Sequence, residues 1–363
     1  MSIFKDFFVK QKPIFTGITR GVGGFGFGAA AGAGAPASGP KATGGTKYTN
    51  GSETVHEFLV GGDTELVVHQ DISSVTYLVV GGGGGGSGYS ARGGGGGAGG
   101  VRSNHPDTPA AIRTPSSYSL PTGTYPVTVG AGGVERGNTG AASWPNSNNG
   151  PVGGYTVPAA YGTPGYSSFF NNAQVNSVSR IVAAGGGAGI WGGSGANNLA
   201  TGGSGGGCGD WDAGGSGAPA LTSPDGLGPT VQGYAGGASP PVSGSYVSGG
   251  GGGAGGAATV SNGGKGGPSV QIGIRGKNTT PVGEYYGGGG QGTGPYIPTP
   301  TVSDPGGSGG RYSTGALLPN ASVGDLPARS AAGDGYPGTG GGGAGTNDQG
   351  LGGPGIIIIS YPT

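Results

Sequence analysis

Cysteine is almost missing from this chain. Cys208 is the only one, which excludes an intramolecular disulfide framework and any multi-cysteine metal site. Charge is scarce as well: 16 basic and 16 acidic residues cancel to a net charge of zero, so no overall field favours nucleic acid or a membrane surface. The three histidines, His56, His69 and His105, are far apart and lack carboxylates at ligand spacing. They read as hydrogen-bonded or solvated sheet residues, not as metal ligands. No apolar run approaches the roughly 18–20 residues of a membrane span. Nor is there the roughly 7–15-residue apolar stretch of a secretory signal: residues 1–15 are broken by Lys5, Asp6, Lys10 and Lys12, and 29–37 are small rather than apolar. The expectation is a protein that reaches the outside of a cell as part of an assembled particle.

What is abundant is glycine. Ninety-nine glycines and 28 prolines make up more than a third of the 363 residues, where ordinary domains use roughly 12%. Collagen would need glycine at every third position without interruption, and disorder is the usual reading of an aperiodic excess. Neither fits, because the glycines form blocks, at 81–86, 93–97, 249–253 and 340–343, with compact strand-like runs between them. An isolated glycine run loses too much entropy to order. Several runs packed side by side as extended three-residue helices escape that limit, since each N–H then points at a neighbour's carbonyl and only glycine allows approach from all sides. A five-residue block spans about 16 Å at the rise of such a helix. Ala98, Ala188 and Ala254, single substitutions within blocks, are expected where a methyl fits or on the outer layer.

The strand-like runs are 54–60, 64–69 and 74–80, separated by Gly61-Gly62-Asp63 and Gln70-Asp71, which reads as consecutive antiparallel hairpins. Later runs are 125–129, 178–183, 269–275 and 355–361. The last holds four consecutive isoleucines, as suits a central buried strand. The first and last strands are expected in one sandwich, and helical periodicity is absent after residue 30.

The start of the chain differs chemically. Residues 1–50 hold Lys5, Lys10, Lys12, Arg20, Lys41 and Lys47 against Asp6 alone, together with Phe4, Phe7, Phe8, Phe15, Phe25 and Phe27. Phe4, Phe7 and Phe8 share one face of a short helix that Pro13 ends. Such a helix is marginal alone, so residues 1–30 read as an anchoring segment that docks on another protein, the other reading being that they fold back on the chain's own core. Residues 31–53 read as an Ala/Gly/Pro linker, and 54–363 as the glycine-rich domain.

Chemistry-bearing motifs are weak. The glycines around Lys265 and the Gly276-Lys277-Asn278 run lack the spacing and following helix of a phosphate loop. Cys208 and the serines have no triad context, and Asp210 and Asp212 beside Trp211 read as a loop cap before a calcium site. The expectation is therefore a non-enzyme with no cofactor and no metal. The connections 103–119, 144–170, 219–246 and 285–312 are rich in Tyr, Trp, Asn, Ser and Pro, a palette for adaptable recognition. Candidate binding residues are Trp144, Tyr155, Tyr161, Tyr166, Trp211, Tyr234, Tyr246 and Tyr296. The alternative is that these loops cap the glycine bundle or touch a neighbouring subunit.

The run Val75-Thr-Tyr-Leu-Val-Val followed by the 81–86 block, the 93–101 block ending in Val101, Gly123-Thr-Tyr-Pro-Val-Thr-Val-Gly-Ala-Gly-Gly, and the final Gly355-Ile-Ile-Ile-Ile-Ser-Tyr-Pro come in an order that resembles the glycine-rich domains of bacteriophage tail fibres and adhesins. The architecture is also similar to the extracellular glycine-rich domain of the anaplastic lymphoma kinase receptor family, whose disulfides this chain lacks. The resemblance implies an all-β fold, a TNF-like or jelly-roll-like β-sandwich carrying a polyglycine II helix bundle. It implies a virion-surface location, extracellular when functional, with the N-terminal segment on another virion protein and loops offered to a host-surface glycan or outer-membrane protein. A homo-oligomer, trimeric in such fibres, is expected, with no nucleic acid and no membrane insertion. The alternative is a virion decoration or fibre-forming protein with no receptor role.

Overall fold

The computed structural model describes residues 39–87, 93–114, 117–134, 142–143, 156–157, 162–191, 197–209, 220, 227, 230–239, 248–258, 264–276, 284–292, 334–335, 338–345 and 350–363. The chain divides into two units, Met1–Gly39 and Pro40–Thr363, and apart from Gly39 the described residues belong to the second. The six phenylalanines expected to anchor the chain lie outside the described residues.

The second unit is all-β, with one short α-turn at Asn197–Ala200 and one 3-10 turn at Val175–Ser177 among the described residues. Five strands build a first sheet: β1 (Ala42–Thr43), β4 (Glu65–Val68), β7 (Gly123–Thr128), β10 (Ser168–Phe170) and β11 (Ile181–Ala183), in that spatial order. A second sheet has the order β2 (Thr46–Asn50), β3 (Glu53–Phe58), β14 (Ile356–Pro362), β5 (Thr76–Val80) and β6 (Val101–Ser103). All these pairings are antiparallel, and apart from them β8 (Ala142–Ser143) and β9 (Thr156–Val157) form a two-stranded antiparallel ladder. The two sheets face each other across a core to which the first gives Leu66, Tyr125, Val127, Phe170 and Ile181, and the second gives Phe58, Tyr77, Val79, Ile357 and Ile359. This is the expected β-sandwich, with the last strand beside the first long one at its centre.

The four isoleucines of β14 follow from their position. Ile357 and Ile359 point into the sandwich. Ile356 and Ile358 point the other way, onto a second apolar cluster with Val55, Leu78, Val80 and Val101. That outer cluster is roofed by Val270, Ile272, Ile274 and Tyr286, from and beside the short hairpin of β12 (Val270–Gln271) and β13 (Tyr285–Tyr286). A strand buried on both faces has no polar side to alternate with.

Two expectations need correction. The runs 54–60, 64–69 and 74–80 are strands, but they do not form consecutive hairpins: β4 sits in the first sheet, between β1 and β7, while β3 and β5 flank β14 in the second. Residues 42–50, read as part of a linker, form β1 and β2 and pair with Val67–Val68 and with β3. The β2–β3 turn is Asn50-Gly51-Ser52-Glu53, with Gly51 at φ +59, and this tight glycine turn returns the chain so that Tyr48 pairs with Val55.

From the sandwich and its roof the strands run on into glycine. β5 continues into 81–87, β7 into 130–134, β11 into 184–190 and β13 into 287–292, while 93–100, 162–167 and 350–355 lead back into β6, β10 and β14. These segments bond to one another with a period of three. The N–H groups of residues 81, 84 and 87 go to the carbonyls of 100, 97 and 94; those of 82 and 85 go to 166 and 163; those of 83 and 86 go to 353 and 350. Carbonyls of the same segment accept from three further neighbours, at 186 and 189, at 133, and at 343. Segment 81–87 therefore has six neighbours, the hexagonal environment of a polyglycine II lattice. Segment 93–100 has the same pattern, donating to 184–190, 249–252 and 340–343, and accepting from 81–87, 204–207 and Gly290.

Within this lattice glycine is needed for its missing side chain. A Cβ on Gly84 would lie 2.0 Å from the Gly187 carbonyl oxygen, on Gly96 2.1 Å from that of Gly84, and on Gly99 1.9 Å from that of Gly81. Only at a junction such as Gly287, where β13 enters the lattice at φ +66, is the backbone itself left-handed. Ala98, Ala188 and Ala254 are wholly buried, in the few places where a methyl fits. Gly96→Ala is expected to destabilise the unit by about 3 kcal/mol or more, because backbone on both sides must move. Ala98→Gly should cost only about 1–2 kcal/mol, for a lost methyl and a freer unfolded chain; chemical denaturation of the two variants checks the contrast.

Candidate functional site

A ladder of strands and a lattice of three-residue helices aim their backbone groups differently, so the seam between them leaves donors and acceptors without lattice partners. Small polar side chains fill that seam. Ser168 Oγ donates to the Val80 carbonyl at 2.6 Å and accepts the Gly130 N–H at 2.9 Å. Gln232, wholly buried, accepts the Ala184 N–H at 2.8 Å and donates to the Val182 carbonyl at 3.1 Å. At the far end, Ser87 Oγ accepts the Gly94 N–H at 2.9 Å. Segment 81–87 is thereby held at both ends.

The bonding register also shows which end of the lattice each residue occupies. Ser87 bonds to Gly94, Val134 to Thr163, Gly86 to Gly350, Gly345 to Gln291, and Gly249 to Cys208. These residues all lie at the end away from the sandwich. There the described chain leaves and returns around 88–92, 135–161, 240–247 and 346–349, and it leaves again after Gly292. At the opposite pole of the molecule, β1 begins at Ala42, paired with Val68, and Lys41 Nζ donates to the carbonyl of Pro362, near the chain's last residue.

Of the candidate binding residues, Trp144, Tyr155, Tyr161, Trp211, Tyr246 and Tyr296 lie outside the described residues, as do Asp210 and Asp212. Tyr166 and Tyr234 are described, half-buried, and they belong to lattice segments instead of the loops between them. Tyr166 accepts the Gly82 N–H and donates its own to Ala131; Tyr234 accepts from Gly205 and donates to Gly253. Both therefore stand on the flank of the lattice, on different segments and short of its outer end. Cys208 is a buried packing residue beside Ile190 and Ala200. His56 and His69 are both hydrogen-bonded, as expected, His69 to Thr43 Oγ1 at 2.9 Å. Among the described residues no group of three His, Cys, Asp or Glu could hold a metal ion, and no helix is long and apolar enough to cross a membrane.

One charged cluster escaped the sequence reading. Glu57 on β3 and Arg275, after β12, form a buried ion pair at 2.9 Å. The Arg275 N–H and the Tyr286 hydroxyl donate to Glu284 Oε2 at 2.9 and 3.2 Å. Burial opposes the charge of Arg275, but Tyr286, Glu57 and Tyr48 together hold it charged. Burial and then the Glu57 charge push the Tyr48 hydroxyl up to about 12. The cluster fastens the β12–β13 roof onto the second sheet, and no local motif announces it, because its charged partners are 218 positions apart.

A β-sandwich whose strands continue into a hexagonal lattice of glycine helices defines a glycine-rich β-domain. The family model described as "Glycine-rich domain" matches residues 59–362, and the chain belongs to that family. No curated protein matches the chain.

Arg275→Met strips Glu57 of its buried partner and is expected to cost about 3–5 kcal/mol. Adding Glu57→Met should restore part of that loss, measured as the shift of the urea midpoint. Spectrophotometric titration of wild type against Tyr48→Phe should show one tyrosine that ionises only near 12 disappear.

Proposed function

We propose that this chain is a bacteriophage virion appendage, a tail-fibre or tail-tip adhesin, that docks by its N-terminal segment and offers aromatic and polar loops to a host surface. The observation that carries this reading is the polarity of the folded unit. The unit begins at Pro40, at the pole of the sandwich away from the lattice, whereas the chain leaves and re-enters the lattice at the opposite end. A folded unit whose chain enters at one end and whose outer connections stand at the other suits presentation. Rigid positioning of recognition segments on a scaffold reduces the ordering cost of binding. The resemblance of the glycine blocks to tail-fibre and adhesin domains supplies the phage context, and the Phe-rich residues 1–30 supply the docking chemistry. Oligomerisation, as a parallel trimer, would bring several loop sets to one end and raise avidity. The contacts involved are binding contacts, without a catalytic step.

The test compares particles and purified protein. Deleting residues 2–30 should release the chain from virions. Full-length protein with Trp144, Tyr161 and Trp211 changed to alanine should still assemble, but should adsorb to host cells at least tenfold more weakly than the saturable wild type. If folded wild-type protein does not adsorb at all while the deletion still releases it, the chain is a decoration or fibre protein; retention of the deletion variant on particles sinks the anchor assignment.

A further inference from the structure

β1 and β2 belong to different sheets, so the chain crosses from one to the other within Gly44-Gly45, both left-handed at φ +118 and +62. On one side this crossing is pressed against β4, where a Cβ on Gly44 would lie 2.3 Å from the Glu65 carbonyl oxygen. On the other it is held by His56, which is wholly buried on β3. His56 Nδ1 lies 2.6 Å from the Gly44 carbonyl oxygen. A carbonyl only accepts, so Nδ1 carries the ring proton and Nε2 is left as an acceptor. It takes the hydroxyl proton of Tyr361 at 2.9 Å, and the two rings stack at 5.6 Å. The backbone N–H of Ala42 stands close enough to the Tyr361 hydroxyl to favour its charged form against burial. The two bonds of His56 thus run from the crossing after β1 to β14, and tie the first strand to the last.

This circuit is complete for a neutral imidazole and has no place for a second ring proton. A protonated Nε2 would face a hydroxyl proton, and turning the hydroxyl away would strand that proton in the core. The surroundings do not favour charge. Lys47 stands directly opposite on β2, Ile359 directly opposite on β14, and Tyr361 is the ionisable group facing the ring from β14. From β4 the backbone of Glu65 and Leu66 reaches the crossing, the Glu65 side chain being exposed; just before β4 the Asp63 carboxylate accepts the Gly45 N–H at 2.7 Å, and beyond β4 His69 is bonded to Thr43. Neighbouring Glu57 is engaged by Arg275. Burial lowers the His56 pKa; the Gly44 carbonyl opposes that shift and Lys47 adds to it. An unfolded chain protonates this histidine near pH 6.5, so the contribution is complete above about 6.5 and is lost as pH falls towards the lower folded value.

We propose that His56 makes the strap formed by residues 40–50 an acid-releasable clasp: protonation of its imidazole breaks the bond to Tyr361, and the buried charge regains water only when the strap lifts from the ring, loosening the strand at which the folded unit begins while the lattice stays closed. The bonds of lattice segment 81–87 are made by backbone and by the Ser87 hydroxyl, so acid has no handle on them. The clasp stands whether or not the N-terminal segment docks on a virion.

Hydrogen exchange on the full-length protein at pH 7.5 and 5.0, expressed as protection factors, tests it. Protection of 40–50 should fall at least tenfold at the lower pH, with 81–87 unchanged. In His56→Gln, whose amide can donate and accept but does not titrate, the difference between the two pH values should vanish; in His69→Gln it should remain. Unchanged protection of the wild-type strap, or an equal fall in His56→Gln, overturns the proposal. If the glutamine variant does not fold, NMR titration of the wild-type histidines decides. A His56 ring that titrates below 6.5 together with the Gly44 amide supports the clasp, and one that titrates at or above 6.5 refutes it.

Discussion

The structure depends on one close approach, that of a backbone carbonyl to the place where a neighbouring residue's β-carbon would otherwise be. At Gly83, Gly84, Gly96 and Gly99 that space is about 2 Å from oxygen, closer than any side chain tolerates. Its absence lets an interior segment such as 81–87 or 93–100 bond outward in three directions and be bonded from three others. A pleated strand has one plane of partners; a glycine helix of three residues per turn has three. The interior of this half of the molecule is therefore filled by main chain, and burial there is satisfied by hydrogen bonds instead of by apolar area.

Such a lattice is weak by itself. Each hydrogen bond contributes a net of about 1 kcal/mol, while ordering one residue's backbone costs about 1–2 kcal/mol, and glycine has the most freedom to lose. What tips the balance is that strands fix one end of several segments. Val80, Ala183, Tyr286 and Ile356, the strand residues next to Gly81, Ala184, Gly287 and Gly355, are buried, so the apolar clusters order the root of each of these segments. The double-sided cover of β14 belongs to the same logic. A strand that holds both sheet neighbours and both faces is the firmest base from which to hang the lattice.

Much of this was legible in the sequence. The blocks of glycine, the single alanines within them and the apolar runs gave the two materials, and the four isoleucines of β14 named the central strand. Pairing was not legible: β3, β4 and β5 follow one another closely, yet alternate between sheets, and the turns between them carry no mark of that crossing. Residues 42–50 were hidden by a composition of Thr, Gly, Lys and Tyr that reads as linker, although their ladder with β3 ends in a glycine turn. Tyr166 and Tyr234 looked like loop residues because aromatic side chains among glycines suggest a surface, and only the register shows their backbones inside the lattice. Glu57 and Arg275 meet through the fold alone.

The threefold register has a consequence for how the chain can vary. Adding a single residue within a segment would turn every donor beyond it by a third of a revolution, so each would face the wrong neighbour and the error would spread to six segments at once. Adding residues between Ser87 and Gly93, or between Gly345 and Gly350, changes no bond in the lattice. Insertions and deletions are thus channelled towards one end of the molecule, which is free to diverge in length and composition while the glycine interior keeps its count.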